Sequence, residues 1–251
     1  MPRFAANLTM LFTEIPMEER FAAAAGAGFA GVEILFPYDI PAATLSRKAV
    51  AAGLEIVLIN TPPPNWAGGP RGFAAVPGLE ERFRYDFDRA LRFARSLRSR
   101  HIHVMAGTTG DAAARAIFIR NLAWAAKRAP HASLTIEVIN PTDKPGYFLA
   151  DFELAAEIIA ELGAPNLGLQ FDAYHAQAIT GDAIGAWREY APIIRHIQIA
   201  GYPGRHEPTG GEIDYPAFFA ALDASGYRGW VSAEYNPEHL TENGLDWLPG
   251  G

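Results

Sequence analysis

The sequence contains no cysteine. Disulfide staples, thiolate zinc centres and cysteine nucleophiles are therefore excluded at once. A positive surplus is also missing: 21 Lys and Arg stand against 28 Asp and Glu, for a formal net charge of −7. A nucleic-acid surface normally needs a basic stripe to replace phosphate counterions, so no nucleic-acid partner is expected. No stretch approaches the roughly 18 apolar residues of a membrane span, so no membrane partner is expected either. The start of the chain lacks a basic segment followed by an apolar run. No secretory signal is read there, and a cytoplasmic location is the expectation. No glycine fingerprint follows the first expected strand, which argues against a dinucleotide site.

What the sequence does contain is alternation. Short runs rich in Val, Ile, Leu and Phe alternate with Ala-rich amphipathic segments, the pattern of βα units around a parallel sheet. Strands are expected near Phe4–Leu8, Val32–Leu35, Glu55–Ile59, His101–Met105, Leu134–Val138, Leu167–Phe171, Ile194–Ile199 and Trp230–Ala233. Helices are expected over Glu18–Ala27, Thr44–Ala52, Glu80–Leu97, Ala112–Ala129, Phe152–Leu162, Ala183–Tyr190 and Ala217–Ser225, with a truncated closing helix at most in Leu240–Trp247. In Glu80–Leu97 the residues Phe83, Phe87, Ala90, Leu91 and Ala94 form one apolar stripe. Eight strands in 251 residues fit one α/β domain, a (β/α)8 TIM barrel over residues 1–251. The connection from Asn60 to Gly78 is long and rich in Pro and Gly, and a loop of that length in a compact domain tends to be functional.

Barrel enzymes place their chemistry at the C-terminal ends of the strands. There the sequence offers Glu137, Asp172, Gln198 and Glu234, on the fifth to eighth strands. In a closed barrel these strand ends are neighbours, so four oxygen-bearing side chains can converge. Oxygen donors suit a hard divalent cation, Mg²⁺ or Mn²⁺, which would polarise a carbonyl and stabilise an enediolate. Carboxylates on either side would exchange protons with carbon. The plainer reading of any one acid after a strand is a helix cap, and Asp172, just before Ala-Tyr-His, is the readiest example. Four on successive strands are harder to explain that way.

Other polar residues are candidates for substrate contact. His175 lies three residues past Asp172; Arg205 or Arg71 can clamp a carboxylate bidentately; Asn7 and Trp66 are candidate pocket residues. Asp214 reads as a cap for the helix at Ala217, and Glu33 as an inward-facing charge, since an unpaired one inside a strand would be costly. The histidines at 101, 103, 131 and 196 show no usable spacing.

At these residues the chain resembles the hydroxypyruvate isomerase family of the xylose isomerase-like TIM barrels. The resemblance runs through Arg3-Phe-Ala-Ala-Asn-Leu8, Gly31-Val-Glu-Ile-Leu-Phe-Pro-Tyr38, Asn65-Trp66 with Arg71-Gly72, and Glu137-Val-Ile-Asn140. It continues in Gln170-Phe-Asp-Ala-Tyr-His175, His196-Ile-Gln-Ile-Ala200, Glu207-Pro-Thr-Gly-Gly-Glu-Ile-Asp-Tyr215 and Gly229-Trp-Val-Ser-Ala-Glu-Tyr235. It implies interconversion of hydroxypyruvate and tartronate semialdehyde, with Glu137 and Glu234 as the proton-transferring pair. It also implies that Glu137, Asp172, Gln198 and Glu234 hold a metal where one is present. Related ketose 3-epimerases usually carry histidine at the position of Gln198, so the glutamine favours the isomerase branch. Ile59, where some members have histidine, and Thr61-Pro-Pro-Pro64, which departs from a more usual Leu-Pro-Ala-Gly, bear on substrate preference.

The rivals within the fold are a 2-oxo-tetronate isomerase and a ketose 3-epimerase. A non-catalytic sugar-binding barrel is the rival of another class. A zinc endonuclease barrel would need a histidine-rich site and a basic face, which this acidic chain does not offer. The expected partner is a small hydroxy-carbonyl acid. Homo-oligomer formation is a further expectation, with Trp247 as an exposed interface aromatic.

Overall fold

A computed structural model describes residues 2–62 and 71–248. The eight strands are β1 Arg3–Asn7, β2 Gly31–Glu33, β3 Glu55–Asn60, β4 His101–His103, β5 Ser133–Glu137, β6 Leu167–Asp172, β7 Ile194–Ile199 and β8 Trp230–Ala233. They pair in parallel, each with its neighbour, and β8 closes on β1 to make a barrel. The helices are α1 Met17–Gly26, α2 Ala42–Ala52, α3 Glu80–Leu97, α4 Ala114–Arg128, α5 Phe152–Leu162, α6 Ala173–Thr180, α7 Ala183–Tyr190 and α8 Tyr215–Ser225. Each of the eight expected strands is present. No helix of the described residues is long and apolar enough to cross a membrane.

The helices form where apolar periodicity and end signals agree. In α3 the expected stripe is buried, and Trp124 of α4 packs edge-on against Phe83 and Phe87 at centroid distances of 6.1 and 5.6 Å. Gly53 ends α2 in the left-handed region (φ 70°), a conformation that costs a side-chain-bearing residue more. Asp214 caps α8, accepting from the Ala217 amide at 2.9 Å, as its place in the sequence suggests.

Two sequence expectations are corrected. α6 is missing from the expected helix ranges, although the cap reading of Asp172 points to a helix start there. Asp172 is at once the last residue of β6 and the cap of α6, so no turn residues separate strand from helix. Trp247 is not a fully exposed aromatic. It is half-buried, stands 5.5 Å edge-on to Phe4, and donates its indole N–H to the Tyr235 hydroxyl at 3.2 Å. It packs into the aromatic layer around Phe4, Phe29 and Phe219, with part of its surface left open beside Tyr215 and Phe219.

Apolar side chains of strands and helices form the main core, and a smaller cluster unites Ala5, Leu35, Val57, Leu58 and Trp230. The barrel interior is polar instead. Glu33 of β2 bonds to His196 and Gln198 of β7, two strands that are not neighbours, so these contacts cross the barrel. Buried polar groups cost stability unless paired, and Glu33, Gln198, Gln170, Thr135 and Asn7 pair with one another, while His196 Nδ1 and Ser232 Oγ have no hydrogen-bond partner among the described residues.

Candidate active site

A cavity of about 590 Å³ opens over the C-terminal strand ends. Its lining includes Glu137 from the end of β5, Glu234 just beyond β8, His103 at the end of β4, and His175 in the first turn of α6. Parallel strands deliver their last side chains to one rim, and four strands converge here for that reason.

Glu137 and Glu234 are both buried. Burial drives the Glu137 carboxyl well above the usual carboxylate range, and the negative charges of Glu234 and Asp172 push it further. Burial likewise pushes Glu234 up to about 8, against the opposing pull of Arg205. One Glu234 oxygen, Oε2, makes no hydrogen bond among the described residues. Two buried acids whose proton affinity is raised above the usual carboxylate range are suited to holding and delivering protons.

Asp172 does two jobs. Its Oδ1 caps α6 by accepting from the Tyr174 amide at 2.8 Å, while Oδ2 accepts from Arg205 Nη2 at 2.9 Å. The cap expected from sequence is real, and the same carboxylate also belongs to the site. Arg205 extends further: Nη2 lies 3.6 Å from Glu234 Oε2, and Nη1 lies 3.2 Å from His175 Nε2. Although burial works against its charge, Asp172, Glu234 and Glu137 outweigh that and hold the guanidinium more firmly protonated. The Arg205 backbone sits in the left-handed region at φ 58°. For a residue with a side chain this costs roughly 1–2 kcal/mol, strain of a kind that collects at functional sites. Its N–H bonds Gly201 O at 2.9 Å and its carbonyl accepts from Asn236 N at 2.8 Å, which fixes the turn.

His175 is buried, and burial pulls it down to about 4. Asn140 Nδ2 stands 2.8 Å from its Nδ1. His103 is pulled down to about 3 by burial, and its Nδ1 faces Asn60 Oδ1 at 3.2 Å and Glu137 Oε2 at 3.5 Å. Both imidazoles are therefore neutral near pH 7.

One oxygen or nitrogen from each of Glu137, Asp172 and His175 fits within 4.8 Å of the others. Two carboxylates and a neutral imidazole make a donor set that suits a hard or borderline divalent cation, and the free Glu234 oxygen lies in the same cavity. The residues present thus fit a metal. Gln198 stands in register beside Asp172, but its side chain is engaged below the cavity with Glu33 and Gln170.

Of the other expected residues, Arg71 lines the cavity mouth. The glycine after it permits this: Gly72 has φ 91°, and a Cβ there would come within 2.4 Å of Met105 Cβ. Asn7 lies beneath the cavity, donating to Glu33 Oε2 at 3.1 Å. Trp66 lies outside the described residues, with the rest of the loop's 63–70 segment. Sequence reading missed His103, Asn60, Asp143, Lys144 and Asn236, all on the lining. The alternation of His101 and His103 on one strand, with His103 at its C-terminal end, was the signal available for the first.

A closed parallel barrel with a carboxylate-lined cavity at its strand ends defines an enzyme of TIM-barrel architecture. The model of the xylose isomerase-like TIM barrel family matches residues 21–250. The chain belongs to that family, and its full-length relatives place it among the isomerases. It is 47% identical over 254 residues to a 2-oxo-tetronate isomerase of Cupriavidus necator, covering 99% of this chain and 98% of the relative. It is 40% identical over 254 residues to the hydroxypyruvate isomerase of Escherichia coli K12, covering 99% and 98%. A solved structure from Brucella melitensis, described as an AP endonuclease of family 2, matches at 45% identity and a TM-score of 0.95 over 99% of this chain and 98% of that one.

Proposed function

We propose that this isomerase interconverts hydroxypyruvate and tartronate semialdehyde by proton transfer through an enediolate. The observation that carries the reading is the buried pair Glu137 and Glu234, both held toward the protonated form, in one cavity. One carboxylate takes the proton from the hydroxyl-bearing carbon, and the C–H electron pair becomes the enediolate double bond. The enediolate is then protonated at the former carbonyl carbon, and the hydroxyl proton passes to the oxygen of that carbon. Carboxyls whose proton affinity is raised by burial can serve as acid and, once ionised, as base.

Arg205 is already paired with Asp172, which leaves Arg71 as the cation for the substrate carboxylate, with Lys144 also on the lining. His175 reaches the same cavity and is the proposed contact for a substrate oxygen. Asn7 acts from beneath, through Glu33. Trp66 remains a proposed pocket residue on the sequence pattern alone. A divalent metal, Mg²⁺ or Mn²⁺, would be held by Glu137, Asp172, Glu234 and Gln198, with His175 as a further donor. When bound it would polarise the substrate carbonyl.

A second reading has its own support. The relatives from Cupriavidus necator and Pectobacterium atrosepticum, at 47% and 45% identity, are 2-oxo-tetronate isomerases. The cavity also has room beyond a three-carbon acid. A 2-oxo-tetronate is then the substrate, with the same chemistry one carbon longer. Initial rates on both acids separate the readings. The higher kcat/KM identifies the substrate, and turnover of neither overturns both.

A further inference from the structure

The polar chain inside the barrel has a direction. The Thr135 hydroxyl donates to Gln170 Oε1 at 3.0 Å, Gln170 Nε2 donates to Gln198 Oε1 at 2.7 Å, and Gln198 Nε2 donates to Glu33 Oε2 at 3.0 Å. Asn7 Nδ2 also donates to Glu33 Oε2, and His196 Nε2 meets Glu33 Oε1. All of these side chains are buried, and Glu33, His196, Gln198, Asn7 and Thr135 are fully enclosed.

Only one member of this relay fixes its sense. A hydroxyl can donate or accept, and an amide can present either end. With those residues alone the relay could run either way. A carboxylate only accepts, and three donors converge on the two oxygens of Glu33. Reversing Gln198 would set its oxygen against that carboxylate and its N–H against the Gln170 N–H, two donor or acceptor clashes in a dry interior.

We propose that Glu33 is a positioning residue that locks the Gln198 amide with its N–H toward the barrel interior and its oxygen on the side of Gln170. The second lone pair of that oxygen is what Gln198 has left to offer Asp172's neighbourhood, as an acceptor or an oxygen donor to a cation. Without Glu33 the amide can turn and present N–H groups, which repel a cation. Glu33 itself does not line the cavity; its charge is also felt at Glu137 and Glu234, so loss of charge alone would weaken cation binding in Glu33→Gln, whereas Gln170→Glu adds a charge and weakens binding only if the amide orientation matters. The proposal rests on the metal-holding role given to Gln198 above. Supporting residues of this kind typically change metal affinity by about 10–100-fold when replaced.

The test is Mn²⁺ binding, followed by the paramagnetic resonance of free Mn²⁺, in wild type, Glu33→Gln, Gln170→Glu and the swapped double variant Glu33→Gln with Gln198→Glu. Thermal melting is run beside each. The expected result is binding weakened at least about 10-fold in Glu33→Gln with the melt retained. The swap is expected to bring it back to within a few-fold, because it restores one acceptor-only group to the relay. Gln170→Glu puts a second acceptor at the other end, frustrates the amide, and is expected to weaken binding without touching Glu33. Should Glu33→Gln fail to fold, that variant decides the matter alone. Glu33→Gln binding within twofold of wild type overturns the proposal, as does a folded swap that restores nothing. A wild type that binds no Mn²⁺ instead removes the reading beneath it, and the wild-type arm tells the two failures apart.

Discussion

Arg205 Nη2 lies 2.9 Å from Asp172 Oδ2, joining the turn after β7 to the end of β6 across the cavity floor. The pair makes Arg205 a structural member of the acid cluster as well as a cation within it. Its charge lowers the proton affinity of Glu137 and Glu234, which burial raises. Arg205→Leu is therefore expected to shift the rising limb of the kcat/KM pH profile upward and to cut kcat/KM by about 100-fold at pH 7. A pH profile left in place would detach Arg205 from the catalytic pair. Arg205→Lys should recover little, because an ammonium cannot reach Asp172, Glu234 and His175 as a planar fork does.

Glu137→Gln and Glu234→Gln are each expected to reduce kcat by about 10³-fold while leaving the melting temperature at or above that of wild type. Removing a buried acid that sits above its normal proton affinity relieves a desolvation cost rather than breaking a favourable ion pair. Steady-state kinetics with differential scanning calorimetry check both halves. Near-normal kcat in either variant would remove that residue from the mechanism.

Stability of the metal-free protein should fall on both sides of neutrality. Burial lowers the proton affinity of His103 to about 3 and of His175 to about 4, and lowers that of His101 as well. Below pH about 6.5 the unfolded chain binds protons that these native imidazoles refuse, so stability declines as pH falls through that window toward about 3. Glu234 works oppositely. Its native value of about 8 exceeds the unfolded value, so the native state binds more protons above pH about 4.5 and its advantage is lost as pH rises through 8. Urea unfolding from pH 4 to 9 should trace this dome. Added Mn²⁺ should remove the alkaline decline by binding only the folded, ionised cluster.

Gly72→Ala is expected to cost more than about 1 kcal/mol and to raise KM more than it lowers kcat. A methyl group there collides with Met105 and the φ of 91° disfavours any side chain. The strain falls on the segment that carries Arg71 to the cavity mouth. Thermal melts and a KM/kcat split check it; an unchanged KM would argue that Arg71 does not meet the substrate.

Much of this was legible in the residues. Alternating apolar runs with helix-ending glycines gave all eight strands, because period and end signals are local physics. Glu137, Asp172 and Glu234 were visible because a charged residue at the end of a buried strand has few other reasons to be there. The rest depended on closure. Glu33 and His196 are 163 positions apart in sequence and meet only because the barrel brings β2 and β7 face to face. The neutral state of His103 follows from enclosure, which spacing does not reveal. The extent of α6 was not legible, although its cap was, because one residue, Asp172, serves strand, cap and site together.

The most direct test of the central claim is to incubate the purified protein with hydroxypyruvate, and in parallel with a 2-oxo-tetronate, in D₂O with Mn²⁺ present, then to quench and read the products by NMR. The account predicts conversion of at least one acid, with deuterium at the carbon that receives the proton, and neither conversion nor label with Glu137→Gln or Glu234→Gln. Conversion without solvent label and with full activity in both variants would contradict carboxylate-mediated proton transfer at this site.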